Sequence, residues 1–351
     1  MRIAVHGASG FTGRLTAAET GRRGFTPVLV GRDEERLRKA AVEAGVPGAE
    51  VRVAALDQPA ALVDALRDCE VVINCAGPFT LLGEPVIRAA IAAGTHYLDT
   101  TGEQHYIRRV LYGFGDEAER AGVSVVPAMA DDGGPGDMIA HLTAARLEAA
   151  GGVAEMLIGD LRRPSAASRG TARSMAAVHE KGALEYAEGA WQQAGDDAPG
   201  ALAVPGEDGE VPVTVFALPG VVTVPRHVRA GRVRSVIRTQ VAELFSALTS
   251  DIVDSIPEIP DEQARLTSRW LMMAQAVAHD GTRARGWVTG LDAYGTTAVI
   301  AVEGARRLVA DGAPAGTLTP AQAFGPAAFL DHLATVHNIT YRVETVGCTG
   351  E

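Results

Sequence analysis

The chain is poor in lysine and cysteine and has no long apolar run, and each shortage excludes a class of function. Lysine occurs only at Lys39 and Lys181, so lysine chemistry is confined to two positions. The three cysteines are an odd number without a C-x-x-C pair, so neither a disulfide framework nor a cysteine zinc site is expected. The uncharged, apolar stretch at residues 211–225 is interrupted by prolines and a glycine and therefore predicts no membrane span.

Positive charge is also scarce. Lys and Arg together number 32 against 43 Asp and Glu, which gives a net charge of −11. Nucleic acid and an anionic membrane are therefore not expected as partners, and an anionic cofactor would need a local basic pocket. No H-x-x-x-H or H-E-x-x-H pair occurs, so no metal site is predicted. The 351 residues suit a globular enzyme of two domains. Because the first strand runs into a glycine turn without a leader pattern, we expect a cytoplasmic protein.

The first thirteen residues carry the strongest signal. Residues 1–5 predict a short buried strand, and a helical pattern begins at Arg14. The turn between them spaces its glycines as G-x-x-G-x-x-G, at Gly7, Gly10 and Gly13. A strand, a glycine turn and a helix N-terminus in this order hold a pyrophosphate with backbone N–H groups. We expect Gly7 to permit the tight turn, Gly10 to let the backbone approach the phosphates, and Gly13 to let the helix pack close to the strand.

The end of the second predicted strand, residues 27–31, indicates the type of dinucleotide. In NAD-binding units a carboxylate about 20 residues beyond the turn holds the ribose 2′-hydroxyl. Here Gly31 is followed by Arg32, and an arginine can clamp a 2′-phosphate. NADP(H) is therefore the predicted cofactor, although Asp33 keeps NAD open if the strand ends two residues later.

The first half of the chain alternates predicted strands and helices. Further strands are expected at residues 51–56, 70–75, 95–100 and 123–127, and an acidic loop at 128–137. This alternation predicts an α/β fold with a Rossmann-type, doubly wound parallel sheet, in which ligands lie at the carboxyl ends of the strands. That edge collects the predicted cofactor-binding residues, which are Gly7, Ser9, Gly10, Phe11, Thr12, Gly13, Gly31, Arg32, Asp57, Cys75, Ala76, Gly77 and Pro78.

The second half predicts a different architecture. Several apolar runs follow one another closely, which indicates a second α+β domain with a mostly antiparallel sheet. Strands are predicted at residues 153–161, 211–216, 221–224, 234–240, within 284–302 and at 339–343; helices at 138–150, 174–190, 261–279 and 319–333; and an exposed loop or mobile lid at 194–210.

Five segments stand in a specific order along the chain: GASGFTG at 7–13, GR at 31–32, NCAGPF at 74–79, YLDTTGE at 97–103 and DGGPGD at 132–137. Together they resemble the saccharopine dehydrogenase-like reductase family, including its trans-acting enoyl reductase branch. The last segment keeps the aspartate, proline and aspartate of the family's G-F-D-S-x-P-x-D stretch but replaces its glycine, phenylalanine and serine. Residues 170–174 resemble, more weakly, a G-T-x-x-S stretch of the second domain.

The resemblance implies an NADP(H)-binding Rossmann domain over residues 1–137 and a substrate-binding and dimerisation domain over 138–315, with residues 316–351 packing back on the first domain. Members of the family reduce C=N, C=C or C=O bonds, and a homodimer is a further expectation. The predicted function is hydride transfer from NADPH to a C=N or activated C=C bond of a small-molecule or acyl substrate. The alternative is a non-catalytic NADP(H)-binding sensor or scaffold.

A reductase must position its acceptor and supply a proton. The predicted catalytic residues are Glu103 after the fifth strand, Asp132 after the sixth, and Lys181. Burial beside the cofactor would raise the pKa of either carboxyl toward neutral pH. Either carboxyl can equally have a structural role, as a helix cap for Glu103 or in ordering its loop for Asp132. Arginines at positions 162, 163, 169 and 173 would suit an acidic amino-acid substrate, whereas a lipid-like enoyl substrate needs an apolar pocket, and the sequence leaves both open.

The cofactor assignment makes a direct prediction for Arg32→Ala. Losing a contact to the 2′-phosphate is expected to weaken NADPH binding by roughly 1.5 to 3 kcal/mol and to leave NADH binding nearly unchanged. Titration of the apo protein with each nucleotide, followed by nicotinamide fluorescence, measures both affinities. If neither nucleotide binds to the unsubstituted protein, the glycine turn is only structural.

Overall fold

Strands and helices alternate through the N-terminal part of the computed structural model, which describes residues 1–165 and 167–346. The strands are β1 (Arg2–His6), β2 (Thr26–Gly31), β3 (Glu50–Val53), β4 (Val71–Asn74), β5 (His96–Asp99) and β6 (Ser124–Val126). The helices are α1 (Phe11–Arg22), α2 (Glu34–Glu43), α3 (Pro59–Leu66), α4 (Phe79–Ala93), α5 (Gln104–Gly113), α6 (Gly115–Ala121) and α7 (Gly134–Ala145).

The remaining elements form a second, longer series. Its strands are β7 (Val153–Asp160), β8 (Leu184–Ala187), β9 (Ala190–Gln193), β10 (Ala201–Ala203), β11 (Glu210–Val215), β12 (Ala230–Arg238), β13 (Arg269–Ala278), β14 (Arg283–Leu291), β15 (Gly316–Thr317) and β16 (Thr340–Val346). Its helices are α8 (Arg169–Lys181), α9 (Gly220–Thr223), α10 (Thr239–Ser246), α11 (Ser250–Ser255), α12 (Glu262–Thr267), α13 (Ala293–Ala310), α14 (Pro320–Ala323) and α15 (Pro326–His337). Single 3₁₀ turns occupy Glu148–Ala150 and Val224–Arg226.

The first sheet is parallel throughout and has the strand order β15-β6-β5-β4-β1-β2-β3. Its central strands are apolar on both faces because helices cover both sides, so their residues are almost entirely buried. The order reverses between β1 and β4, which opens a crevice beside the carboxyl end of β1. This sheet confirms the predicted Rossmann-type fold.

The second sheet is mixed and mostly antiparallel, in the order β10-β11-β12-β7-β13-β14-β16, with β8 and β9 attached beside β12. Only the pair of β12 with β7 runs parallel among its described strands. Helix α7 packs against β13 and β14, and α13 packs against α1. One apolar core therefore includes residues of both sheets.

The tail is divided between the two sheets. Strand β15 pairs in parallel with β6 of the first sheet, whereas β16 pairs with β14 of the second. Residues 347–351, the end of the segment expected to pack on the first domain, lie outside the described residues. Helix α13, which falls within the predicted second domain, contacts α1 of the first. The boundaries at 137 and 315 stay predictions.

Several predicted elements of the second half were wrong. Residues 261–279 form the short helix α12 followed by β13, because an apolar run buried on both faces has no periodicity that distinguishes strand from helix. Residues 221–224 are helical or 3₁₀ rather than extended. The helix predicted at 174–190 ends at Lys181, and β8 and β9 then form a hairpin whose turn residues Glu188 and Gly189 both have positive φ.

Other boundaries also moved. The predicted loop at 194–210 contains β10, and the strand expected within 284–302 ends at Leu291, where the Asp292 carboxylate caps α13. Helix α7 begins at Gly134, inside the predicted acidic loop. Helices α5 and α6 are separated at Phe114.

Glu303, in the middle of α13, is a buried anion that connects this helix to the end of α1. Its carboxylate lies 2.6 Å from Arg23 at the end of α1, 3.0 Å from Arg306 and 2.8 Å from Arg307. Burial alone would raise the pKa of Glu303, but hydrogen bonds from these arginines outweigh it and lower the pKa to about 2.

Glu303→Gln is expected to lower the free energy of unfolding by about 2 kcal/mol at pH 7, because three guanidinium groups lose their anion. Since the folded pKa lies below the unfolded one, this stability is present above about pH 4.5 and is lost as the pH falls toward 2. Urea unfolding at several pH values measures the difference. Glu34→Gln, in an exposed pair with Arg38, is the control and should change little.

Candidate functional site

The glycine turn has the close approaches that its spacing predicts. Gly7 adopts a φ of +75°, and the Gly10 N–H donates to the Gly7 carbonyl at 2.9 Å. A Cβ on Gly13 would lie 2.3 Å from the Gly7 oxygen, so helix α1 can start here only with glycine at that position. Gly10 is the N-cap of α1, and no side chain among the described residues caps it. The first N–H groups of α1 are therefore free to bind an anion.

Arg32 and Asp33, which follow β2, have different surroundings. The Asp33 carboxylate accepts the Arg36 N–H at 3.0 Å and caps α2. Arg32 is exposed and makes no hydrogen bond or ion pair within residues 1–165 and 167–346. A capped carboxylate beside an unpaired guanidinium fits a 2′-phosphate better than a 2′-hydroxyl. Asp57 is exposed in the turn after β3 and does not cap α3, whose N-cap is Gln58.

The loop after β4 lies against both halves of the molecule. A Cβ on Gly7 would lie 2.8 Å from Cβ of Ala76, so this loop contacts the glycine turn. A Cβ on Gly77 would lie 2.7 Å from Oγ of Ser174 on α8. The Cys75 thiol lies 3.5 Å from the Thr16 hydroxyl, and burial raises its pKa to about 12. Cys75 is therefore a neutral thiol that packs and does not act as a nucleophile.

A polar cluster from the second half covers the glycine turn, and sequence reasoning missed its central member, Tyr294. The Tyr294 ring packs edge-on against Phe11, with ring centroids 5.1 Å apart. Its hydroxyl accepts the Ser168 N–H at 2.8 Å and donates to the Thr171 hydroxyl at 3.0 Å. The weak resemblance at residues 170–174 thus corresponds to a segment that lies at the turn.

Glu103 is buried and fully engaged. Its two carboxylate oxygens accept the N–H groups of Phe79 at 2.6 Å and Thr80 at 2.7 Å, which are the first residues of α4. Glu103 therefore caps a neighbouring helix, α4, across space. This geometry favours the structural alternative over the predicted role as proton donor.

Asp132 lies in a different environment, at the carboxyl end of β6. A Cβ on Gly102 would lie 2.6 Å from its Oδ2, so the loops after β5 and β6 touch at this carboxyl. Burial, reinforced by the neighbouring Asp131 carboxylate, raises the pKa of Asp132 to about 7, against the opposing charge of Arg162. Asp132 can therefore hold or release a proton near neutral pH.

Arg162 joins this acidic group to the second sheet. Its guanidinium lies 2.9 Å from Asp131 and 2.7 Å from Asp160. Thr297 on α13 also donates to Asp131, at 3.1 Å. The one guanidinium faces three carboxyl groups, which explains why a proton is retained on one of them.

Lys181, the third predicted catalytic residue, is exposed at the end of α8. It lines a small cleft of about 200 Å³ together with Thr80, His105 and the capping residue Glu103. The structure thus brings Lys181 near Glu103.

A chain of hydrogen-bonded, buried polar side chains lies under the site. Its residues were predicted to lie in strands or directly after one, but nothing in the sequence indicated that they bond to one another. His6 Nδ1 lies 2.8 Å from Asn74 Oδ1, and the Asn74 amide donates to the Tyr97 hydroxyl at 3.1 Å. Tyr97 donates to Asp99 at 3.0 Å, and Asp99 accepts the Ala128 N–H at 2.9 Å. Burial raises the pKa of Asp99 to about 6 despite these hydrogen bonds.

Neither of two further features occurs among residues 1–165 and 167–346. No group of three or more His, Cys, Asp or Glu side chains is placed to hold a metal ion. In the same ranges, no helix combines the length and apolarity that crossing a membrane requires.

The N-terminal part of the chain is similar to known proteins. Residues 3–126 match the family model of the saccharopine dehydrogenase NADP binding domain. A saccharopine dehydrogenase-like oxidoreductase of Bos taurus is 32% identical over 152 residues, which are 39% of this chain and 35% of that protein. A trans-acting enoyl reductase of Mycobacterium tuberculosis is 34% identical over 140 residues, 39% of this chain and 34% of that protein. The chain thus matches about a third of the length of these curated relatives.

The fold likeness extends further than the sequence likeness. An apo saccharopine dehydrogenase (L-Glu forming) from Saccharomyces cerevisiae superposes with a TM-score of 0.64 at 16% identity, over 99% of this chain and 100% of that one. At that identity the match shows the fold alone. The family resemblance and the NADP(H) assignment are confirmed by the family model, and the assignment of individual side chains stays a prediction.

Glu103→Gln tests the capping role. An amide cannot accept both N–H groups of α4, so the free energy of unfolding should fall by about 1 to 3 kcal/mol while NADPH affinity stays within about twofold. Urea unfolding and nucleotide titration measure the two quantities. Glu84→Gln, exposed on the same helix, is the control. Full stability combined with lost turnover in Glu103→Gln would instead make Glu103 the proton donor.

Proposed function

We propose that this chain, whose N-terminal domain is of the saccharopine dehydrogenase NADP-binding type, is an NADPH-dependent reductase. It transfers hydride to a C=N or activated C=C bond of a small-molecule or acyl substrate. The observation that carries the proposal is Asp132, a carboxyl of pKa about 7 at the same sheet edge as the glycine turn. The matched relatives, an oxidoreductase and an enoyl reductase, support the same reaction class.

The residues present fit the cofactor. The glycine turn and the N-terminus of α1 would hold the pyrophosphate, because the first N–H groups of α1 are free and Gly13 lets this helix start directly against Gly7. Arg32 would hold the 2′-phosphate, and the backbone of Ala76 and Gly77 would line the next part of the crevice. When bound, NADPH supplies the hydride.

Asp132 supplies the proton in this proposal. A carboxyl of pKa about 7 is protonated in about half of the molecules at neutral pH, so it can give a proton to the reduced substrate atom and regain one from solvent. Arg162 holds Asp131 and Asp160 in place, and its positive charge limits the rise in the pKa of Asp132 that burial and Asp131 cause. The three groups therefore position and tune one acid.

The surrounding arginines argue against an acidic amino-acid substrate. Arg162 is held by two carboxylates, and Arg163 lies 3.2 Å from Glu207. Arg169 donates to the Ile256 carbonyl at 2.7 Å, and Arg173 lies 3.0 Å from Asp254. Each cation that the sequence offered for a substrate carboxylate already has a partner. The partners of Arg162 and Arg169 are a buried carboxylate and a backbone carbonyl, whereas the pair of Arg173 with Asp254 is exposed. An acceptor without carboxylates fits this charge distribution better.

Turnover of NADPH with a panel of imines and enoyl thioesters tests the proposal, with Asp132→Asn as the decisive variant. Because the acid must be protonated, kcat of the unsubstituted enzyme should fall as the pH rises through about 7. Asp132→Asn should lower kcat by about 10²- to 10⁴-fold and abolish that decline, with NADPH affinity unchanged. Asp64→Asn, in an exposed pair with Arg67, is the control.

The non-catalytic alternative predicts another outcome of the same experiment. A sensor or scaffold would bind NADPH but would not oxidise it with an acceptor of either class. The Asp132→Asn substitution would then change neither NADPH affinity nor turnover. Loss of NADPH binding in Asp132→Asn would contradict the assigned role, because the carboxyl would then hold the cofactor.

A further inference from the structure

A second arginine lies close to Arg32 at the adenosine end of the crevice. Arg36 is in the first turn of α2, four residues after Arg32, and its N–H is fixed by the Asp33 cap. The other cations of this helix are paired with acids of their own helix, Arg38 with Glu34 at 2.6 Å and Lys39 with Glu43 at 3.7 Å. Among the cations of α2, Arg36 is the one whose partner lies in the second half of the chain.

That partner is Glu258, between α11 and α12. Nη2 of Arg36 lies 3.4 Å from both carboxylate oxygens of Glu258. The side chains are 50% and 51% exposed, and the contact is long for a charged hydrogen bond. An exposed pair of this geometry is weak and easily exchanged for a better anion.

We infer that Glu258 sets the preference of this chain between NADPH and NADH by competing with a nucleotide 2′-phosphate for the Arg36 guanidinium. The inference rests on the proposed NADP(H) cofactor. A phosphate monoester carries nearly twice the charge of a carboxylate and offers three acceptor oxygens, so Arg36 exchanges Glu258 for it with a gain in attraction. NADH has no such group, and for it Arg36 keeps Glu258.

The exchange leaves no carboxylate without a partner. Arg169, the first residue of α8, lies 3.9 Å from Glu258. The same arginine holds the segment before Glu258, because its Nε donates to the Ile256 carbonyl at 2.7 Å and its N–H donates to the Pro257 carbonyl at 3.1 Å. Glu258 therefore stays with the second half of the molecule when Arg36 turns to a phosphate.

The test is the affinity of the apo protein for NADPH and for NADH, measured by nicotinamide fluorescence. Glu258→Gln removes the competing charge and should tighten NADPH by about threefold, with NADH unchanged. Arg36→Ala should weaken NADPH by about tenfold and leave NADH unchanged. Arg38→Ala, on the same exposed helix but paired within it, is the control and should change neither affinity.

The double variant separates competition from a general charge effect. In the Arg36→Ala background, Glu258→Gln should no longer alter NADPH affinity, because the competition is for that guanidinium. An equal gain for NADPH and NADH, or the same gain with and without Arg36, overturns the inference. If NADPH binds and Arg32→Ala weakens it while Glu258→Gln has no effect, only this inference fails. If the unsubstituted protein binds no NADPH, the proposed cofactor fails with it.

Discussion

The carboxyl ends of the central parallel strands are held together by the buried polar chain from His6 to Asp99, and the candidate site depends on that chain. Three of the four links join different segments and the Tyr97–Asp99 link lies within β5, so β1, β4, β5 and the loop after β6 are fixed relative to one another. An orphaned polar group at this depth costs about 1 to 3 kcal/mol, so the strands cannot slip independently. The glycine turn and the loop before Asp132 leave from these strand ends and inherit their positions.

The distribution of charge around the crevice limits where an anionic cofactor can bind. Acids outnumber basic residues, and most arginines at the crevice are already bound to carboxylates of this chain. A dinucleotide carries phosphates into this acidic surrounding, so the few guanidinium groups that are unpaired or loosely paired decide where it can bind. Arg32, just after β2, and Arg36, in the first turn of α2, have that property, and backbone N–H groups at the start of α1 would complete the proposed anion site.

The sequence predicted the first sheet well because its signals are local. Glycines at 7, 10 and 13 and the alternation of short apolar runs with helices specify a Rossmann-type sheet without knowledge of distant contacts. The second sheet was harder. Strand β13 is buried between β7 and β14, so its residues lack the alternation that identifies a strand. Tyr294 was missed for a related reason, since only tertiary packing brings it to Phe11.

Glu103 and Asp132 illustrate why residue type and strand position did not settle the chemistry. Both are carboxyls that follow adjacent strands of the same sheet. The oxygens of Glu103 each accept a helix N–H, which stabilises the anion. Asp132 has another carboxylate beside it, and the nearby guanidinium is shared with two other acids. Glu103 caps a helix, whereas burial and Asp131 raise the pKa of Asp132, so the difference between the two carboxyls comes from partners that no spacing in the sequence reveals.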